Sequence, residues 1–210
     1  MEESKMPAGK LFIVTAPSGA GKTTLVRALL DVDPRLGVSI SHTTRPRRSK
    51  ETDGVNYHFV DHETFMAMLQ DGEFLESAEV YGYHYGTSHT WVQEQLAAQR
   101  DVILEIDWQG AAQVRNLMPE ACSIFILPPS LESLTERLTE RAQDDEKTIE
   151  KRMREARGVI EHVGEADYVV VNDEFDVAVA DLAAIVRSQR LTTLYQQRNL
   201  SELLENLTRG

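Results

Sequence analysis

Leu11-Phe12-Ile13-Val14 is an apolar run that leads straight into Ala16-Pro17-Ser18-Gly19-Ala20-Gly21-Lys22-Thr23-Thr24, after which Leu25, Leu29 and Leu30 fall at helical spacing. A strand, a glycine-rich loop and a helix in that order commit the start of the chain to an α/β arrangement. The loop follows G-x-x-x-x-G-K-[ST], with Ala16 standing where the first glycine is expected. Gly19 and Gly21 let backbone N–H groups turn inward around phosphate oxygens, while the next helix presents its positive N-terminal end. Lys22 adds a point charge, and Thr23 offers a hydroxyl suited to Mg²⁺. The alternative, a glycine turn with an exposed lysine, does not account for the strand and helix on either side.

A chain of 210 residues suits one compact α/β unit with small insertions. Its formal net charge of −12 argues against a surface that coats nucleic acid, which needs basic stripes to displace counterions. The single cysteine, Cys122, lies in the apolar run Cys122-Ser123-Ile124-Phe125-Ile126-Leu127 and reads as a buried strand residue, so no disulfide framework is available within one chain. The acidic start Met1-Glu2-Glu3-Ser4-Lys5 lacks the apolar stretch of a signal peptide, and no segment approaches the roughly 18 apolar residues of a membrane span. These features predict a cytoplasmic protein without a membrane partner. The six histidines show no metal-ligand spacing.

Strand-like runs at 11–15, 102–107, 122–127 and 168–172 alternate with helical patterns near 22–31, 109–117, 131–141, 147–163 and 176–190. The alternation predicts a mostly parallel sheet flanked by helices, with the ligand beyond the carboxyl ends of the strands. Between 38 and 90 the texture changes to short strand-like pieces, one helical stretch near 62–70, and many Thr, Tyr, His and Gly residues, which reads as an inserted substrate-binding subdomain. The polar break Ala142-Gln143-Asp144-Asp145-Glu146 lies between two arginine-bearing helices and suits a mobile lid. The tail carries Leu191, Leu194, Leu200, Leu203, Leu204 and Leu207 at amphipathic spacing broken near Arg198, fit either to cover the core or to form a contact within a homo-oligomer.

The insertion holds Ser41-His42-Thr43-Thr44-Arg45-Pro46-Arg47-Arg48, three arginines within four residues of an otherwise acidic protein. The planar arginine fork matches phosphate oxygens, and beside a phosphate loop this cluster reads as an anion site rather than a solvated basic loop. Tyr57 and Tyr85 offer nearby hydroxyl donors. The strand Val102-Ile103-Leu104-Glu105-Ile106-Asp107 ends in acid, where Asp107 either supports Mg²⁺ through water or caps the backbone at Gln109-Gly110.

Together with Glu73-Phe74-Leu75-Glu76, Tyr85-Gly86-Thr87, Ile106-Asp107-Trp108-Gln109-Gly110 and Asp167-Tyr168-Val169-Val170-Val171-Asn172, these motifs make the chain resemble the guanylate kinases over roughly residues 10 to 190. The resemblance implies an α/β fold: a P-loop, three-layer parallel-sheet core (10–40, 91–137 and 160–190) with an inserted GMP-binding subdomain (41–90), a helical lid (138–159) and a C-terminal helix (191–210). It implies Mg²⁺-dependent transfer of phosphate from ATP to GMP, giving ADP and GDP, in purine nucleotide metabolism and GMP recycling. Its partners are then ATP and GMP, with no nucleic acid.

Carried over by position, the loop Ala16, Pro17, Ser18, Gly19, Ala20, Gly21, Lys22, Thr23 and Thr24 binds ATP, with Asn172 near the adenine. Arg45 and Arg48 grip the GMP phosphate, Tyr57 and Tyr85 donate to it, and Arg47 is less involved. Glu76 reads guanine, with Ser41 and Thr87 in support; a carboxylate accepts from the ring N–H and exocyclic amino group that adenine lacks as a pair. Glu105 stands where the family pattern has aspartate, and with Asp107 it faces GMP and the metal; Thr23 and Asp107 are the metal residues. Arg137, Arg141 and Arg152 match lid arginines that stabilise the transferring phosphoryl group. Two other readings remain at this point: a non-catalytic domain of the same fold, which typically lacks the intact phosphate loop, and a kinase for another small phosphorylated acceptor.

Overall fold

The computed structural model describes residues 9–140 and 146–209. In chain order these form β1 (Leu11–Thr15), α1 (Lys22–Val32), β2 (Leu36–Val38), β3 (His42–Thr43), β4 (His58–Phe59), α2 (His62–Gln70), β5 (Phe74–Val80), β6 (Tyr83–Ser88), α3 (His89–Ala97) and β7 (Asp101–Glu105). There follow α4 (Trp108–Leu117), β8 (Cys122–Leu127), α5 (Leu131–Glu140), α6 (Glu146–Ile160), a 3₁₀ turn (Glu161–Glu165), β9 (Tyr168–Val171), α7 (Phe175–Arg190), α8 (Thr193–Asn199) and α9 (Ser201–Thr208).

The core is a five-stranded sheet in the order β2-β7-β1-β8-β9. Its neighbours all pair in parallel, with Leu11 opposite Val102 on one side of β1 and Phe12 opposite Cys122 on the other. Every residue of the central strand β1 is buried because helices cover both faces, and this explains a continuous rather than alternating apolar run. Phe12 and Val14 pack with Leu25, Val26 and Leu29 of α1 and with Ala178, Leu182 and Val186 of α7. Leu11 and Ile13 point the other way, toward Val92 and Leu96 of α3 and Ala111 and Val114 of α4. Cys122 is buried in β8, where burial pushes its thiol up to about 12, so it stays a packing residue.

Residues between β2 and α3 form a second sheet, in the order β4-β3-β6-β5. β5 and β6 are an antiparallel hairpin whose tip, Tyr81-Gly82, has both residues at positive φ, 55° and 79°. Phe65 of α2 stacks on Phe74 of β5 at 4.6 Å and fixes that helix to the small sheet. The sheet docks on the core through α4: Gln113 donates to the Ser77 carbonyl at 2.8 Å and accepts from the Ser77 N–H at 3.1 Å. One side chain thereby satisfies a strand's backbone as a neighbouring strand would.

Two short elements escape the sequence pattern. β2 has three residues, too few for periodicity, and α3 is capped by Ser88, whose side chain accepts from the Trp91 N–H at 3.4 Å. The C-terminal segment is two helices, not the single helix expected over 191–210: α8 ends and α9 begins around Leu200, at φ −110° and ψ 21°. Both are stabilised by little burial, and Leu191, Leu194, Leu203, Leu204 and Leu207 remain exposed. Among the described residues no helix is long and apolar enough to cross a membrane.

Candidate functional site

The loop after β1 has the geometry its glycines predict. Gly19 and Gly21 stand at φ 92° and 90°, a left-handed conformation open to glycine at little cost. Space is as restrictive as torsion. A Cβ on Gly21 would lie 2.4 Å from Asn172 Nδ2, and one on Gly19 would lie 3.0 Å from a Leu134 methyl. Asn172, buried after β9, donates to the Ala20 carbonyl at 2.8 Å, and so locks the loop from a position 152 residues away. Arg137 of α5 donates through Nη2 to the Asn172 carbonyl at 3.0 Å, while its buried Nη1 has no hydrogen-bond partner among the described residues.

Lys22 opens α1 and donates to the Ile106 carbonyl at 3.1 Å. Enclosure pushes its pKa below the ordinary lysine value, against the upward pull of Glu105, Asp107 and Glu76. Those three carboxylates therefore face the loop. Thr23 donates to Glu105 Oε2 at 2.7 Å, and this pair supplies the hard oxygen atoms that suit Mg²⁺. Asp107 is engaged as the N-cap of α4: Oδ1 accepts from the Gly110 N–H at 2.9 Å, and Oδ2 from Gln109 Nε2 at 3.0 Å. Among the described residues no group of three or more His, Cys, Asp or Glu gathers as a protein cage for a metal.

Glu76 stands just after a register shift in β5, where the irregular pairing turns its side chain between the small sheet and α4. It is 3% exposed and accepts from Thr87 Oγ1 at 2.6 Å, with Ser41 Oγ a further 3.4 Å from Thr87 Oγ1. Burial pushes the Glu76 carboxyl up to about 7; the Thr87 hydrogen bond and Lys22 oppose that rise, and Asp107 adds to it. A buried carboxylate with one accepting edge already used is suited to a ligand that brings two N–H donors.

Arg45, Tyr57 and Tyr85 also come together. The Arg45 guanidinium lies over the Tyr57 ring at 5.4 Å, and the Tyr57 and Tyr85 rings meet edge to face at 5.8 Å. Arg48 is exposed and contributes its backbone N–H to Glu51. Arg152 of α6 lies within electrostatic reach of Tyr81, at the tip of the β5–β6 hairpin. Arg141 lies outside the described residues.

Sequence reasoning passed over Tyr81 and Glu51. Tyr81 gave one signal, a large side chain beside a glycine in a turn. Glu51 gave another, an acid placed six residues after Arg45 in a basic loop.

Comparison with known proteins places this arrangement. The guanylate kinase family model matches residues 8–189. Guanylate kinase of Saccharophagus degradans is 55% identical over 201 residues, covering 96% of this chain and 98% of that one. Guanylate kinase of Coxiella burnetii is 54% identical over 202 residues, again covering 96% and 98%. The crystal structure of guanylate kinase from Anaplasma phagocytophilum superposes with a TM-score of 0.79 at 31% identity, covering 97% of this chain and 96% of its own. An intact phosphate loop, a buried carboxylate facing it and likeness along nearly the whole chain have one reading: the protein belongs to the guanylate kinase family.

Proposed function

We propose that the protein transfers the γ-phosphoryl group of ATP to GMP, forming ADP and GDP. The observation that carries this reading is Glu76: a buried carboxylate, already bonded to Thr87, within electrostatic reach of Lys22 at the phosphate loop. Guanine offers its ring N–H and amino group to that carboxylate, whereas a base lacking the pair leaves a charge buried and unmatched. Ser41 and Thr87 support the base. Arg45, Arg48, Tyr57 and Tyr85 take the GMP phosphate.

An oxygen of that phosphate attacks the γ-phosphorus in line, the bond from the γ-phosphorus to the bridging oxygen breaks, and ADP leaves. The attacking oxygen is already anionic, so no general base is needed. Lys22 and the loop N–H groups from Ala16 to Thr24 hold the donor phosphates, while Asn172 borders the adenine side. Arg137 and Arg152, with Arg141, neutralise charge that spreads over the equatorial oxygens. Thr23, Glu105 and Asp107 are the residues that would hold Mg²⁺, which would supply positive charge to offset that of the donor phosphates. We assign the reaction to the cytoplasm.

A coupled assay of ADP release with ATP and Mg²⁺ tests this, with GMP, AMP, CMP and UMP compared at equal concentration. The reading requires rapid turnover with GMP alone and slow ATP hydrolysis in its absence. An ADP release rate indifferent to GMP would overturn it.

A further inference from the structure

The phosphotransfer scheme leaves the acid in the basic loop without a task, and the geometry supplies one. Arg45 is held on every side. Its guanidinium lies 5.4 Å from the Tyr57 ring centre and 5.8 Å from that of Phe59, Nη1 donates to the Pro46 carbonyl at 2.9 Å, and Nη2 donates to Glu51 Oε1 at 2.7 Å. The other carboxylate oxygen of Glu51 accepts from the Arg48 N–H at 2.8 Å. Glu51 also closes the loop through its backbone: its N–H donates to the Arg48 carbonyl at 3.1 Å, and its own carbonyl accepts from Arg47 Nη1 at 2.9 Å. The side chains of Arg45 and Glu51 are only 12% and 15% exposed.

We propose that Glu51 is a positioning residue for the acceptor phosphate: without touching GMP, it fixes the Arg45 fork and the Arg48 backbone in the arrangement that receives that phosphate. The inference rests on the reading of Arg45 as a ligand of the GMP phosphate. An arginine free in solution loses substantial rotamer freedom when it grips an anion, and one ordered in advance has met that cost during folding. The fork has five N–H donors, so giving one to Glu51 and one to Pro46 leaves others for phosphate oxygens. Burial raises the Glu51 pKa, but hydrogen bonds from Arg45 and Arg48 outweigh it and hold the carboxyl below its ordinary value, so the clamp stays ionised near neutral pH.

The test compares the full-length wild type with Glu51→Gln, Glu51→Asp and Arg45→Ala, measuring the KM for GMP, the KM for ATP and the inhibition constant of guanosine, which has the base but no phosphate. Glu51→Gln is expected to raise the KM for GMP by about tenfold, the scale of one charge-assisted hydrogen bond, with guanosine and ATP changed by less than about twofold. Glu51→Asp keeps the charge on a shorter arm and should recover part of the loss. Equal weakening of guanosine and GMP would show that Glu51 merely maintains the subdomain, and tighter GMP binding would show that it competes with the phosphate. Either overturns the proposal. Loss of GMP affinity in Arg45→Ala but not in Glu51→Gln overturns the positioning role alone; unchanged affinity in Arg45→Ala overturns the phosphate-site reading beneath it.

Discussion

Gly110 and Glu76 approach so closely that a Cβ on Gly110 would lie 2.2 Å from Glu76 Oε2 and 3.0 Å from its Cδ. The carboxylate is pinned by Thr87 and enclosed, so it has little room to yield. Gly110→Ala should therefore displace Glu76, the group proposed to read guanine. The expected result is a rise of roughly tenfold or more in the KM for GMP, one charged hydrogen bond weakened, with the KM for ATP unaltered. Initial-rate kinetics in both substrates check it.

The raised pKa of Glu76, about 7, has a second consequence. In the proposed reading guanine requires the ionised carboxylate, so the KM for GMP should climb as pH falls below about 7, approaching tenfold per unit. Thr87→Val removes the hydrogen bond that opposes the rise and should move the profile to higher pH; Glu76→Gln should remove the dependence on this group altogether. Stability runs the other way. The folded chain binds this proton more tightly than the unfolded chain, whose value is near 4.5, so the group's contribution to stability diminishes as pH rises from 4.5 to about 7. Denaturant midpoints of wild type and Glu76→Gln across that window measure the difference.

Lys22 makes its bond to Ile106 from within an enclosed site and faces three carboxylates. Lys22→Met keeps most of the stem and removes the charge. Turnover should fall by about 10²–10³, the scale of losing one preorganised donor to the developing charge, with the fold unchanged by circular dichroism.

Arg190 joins two carboxylates at the far end of the sheet, with Nε 2.6 Å from Asp101 Oδ2 and Nη1 paired to Asp33. Asp101 begins β7, whereas the phosphate loop follows the end of the parallel strand β1, so the triad stands a strand's length from the chemistry. Arg190→Ala leaves buried charge unpaired and should cost about 3–5 kcal/mol in chemical denaturation, while kcat of the folded enzyme stays within twofold.

What could be read from the sequence was what is contiguous. The apolar run of β1, the glycines of the loop and the spacing of α1 lie within some twenty residues, and local chemistry fixes them. Arg45 stood out through its cluster of three arginines within four residues, whereas Glu76 and Arg137 were legible only through resemblance to a family, since nothing in their immediate neighbours sets them apart. β2 has too few residues to show a pattern, and α3 mixes Trp91, Val92 and Leu96 with polar neighbours in no strong stripe. Pairings across distance escaped entirely. Asn172 with Ala20, Arg190 with Asp101 and Gly110 with Glu76 join segments that meet only after the sheet has assembled. Asp107 was legible as a strand-end acid with two uses open, metal support or a cap at Gln109-Gly110, and the cap on the Gly110 N–H is the one the fold displays.

The small sheet from β3 to β6 is one unbroken excursion of the chain between β2 and α3. On the proposed assignment of Glu76 and Arg45, acceptor choice is encoded almost as a cassette, separable in the gene from the phosphate loop and helices that flank it. The cassette is keyed, however. The strand that carries Glu76 seats against Gly110 and Gln113 of the core, so a transplanted segment must fit a socket shaped by one missing side chain and one amide.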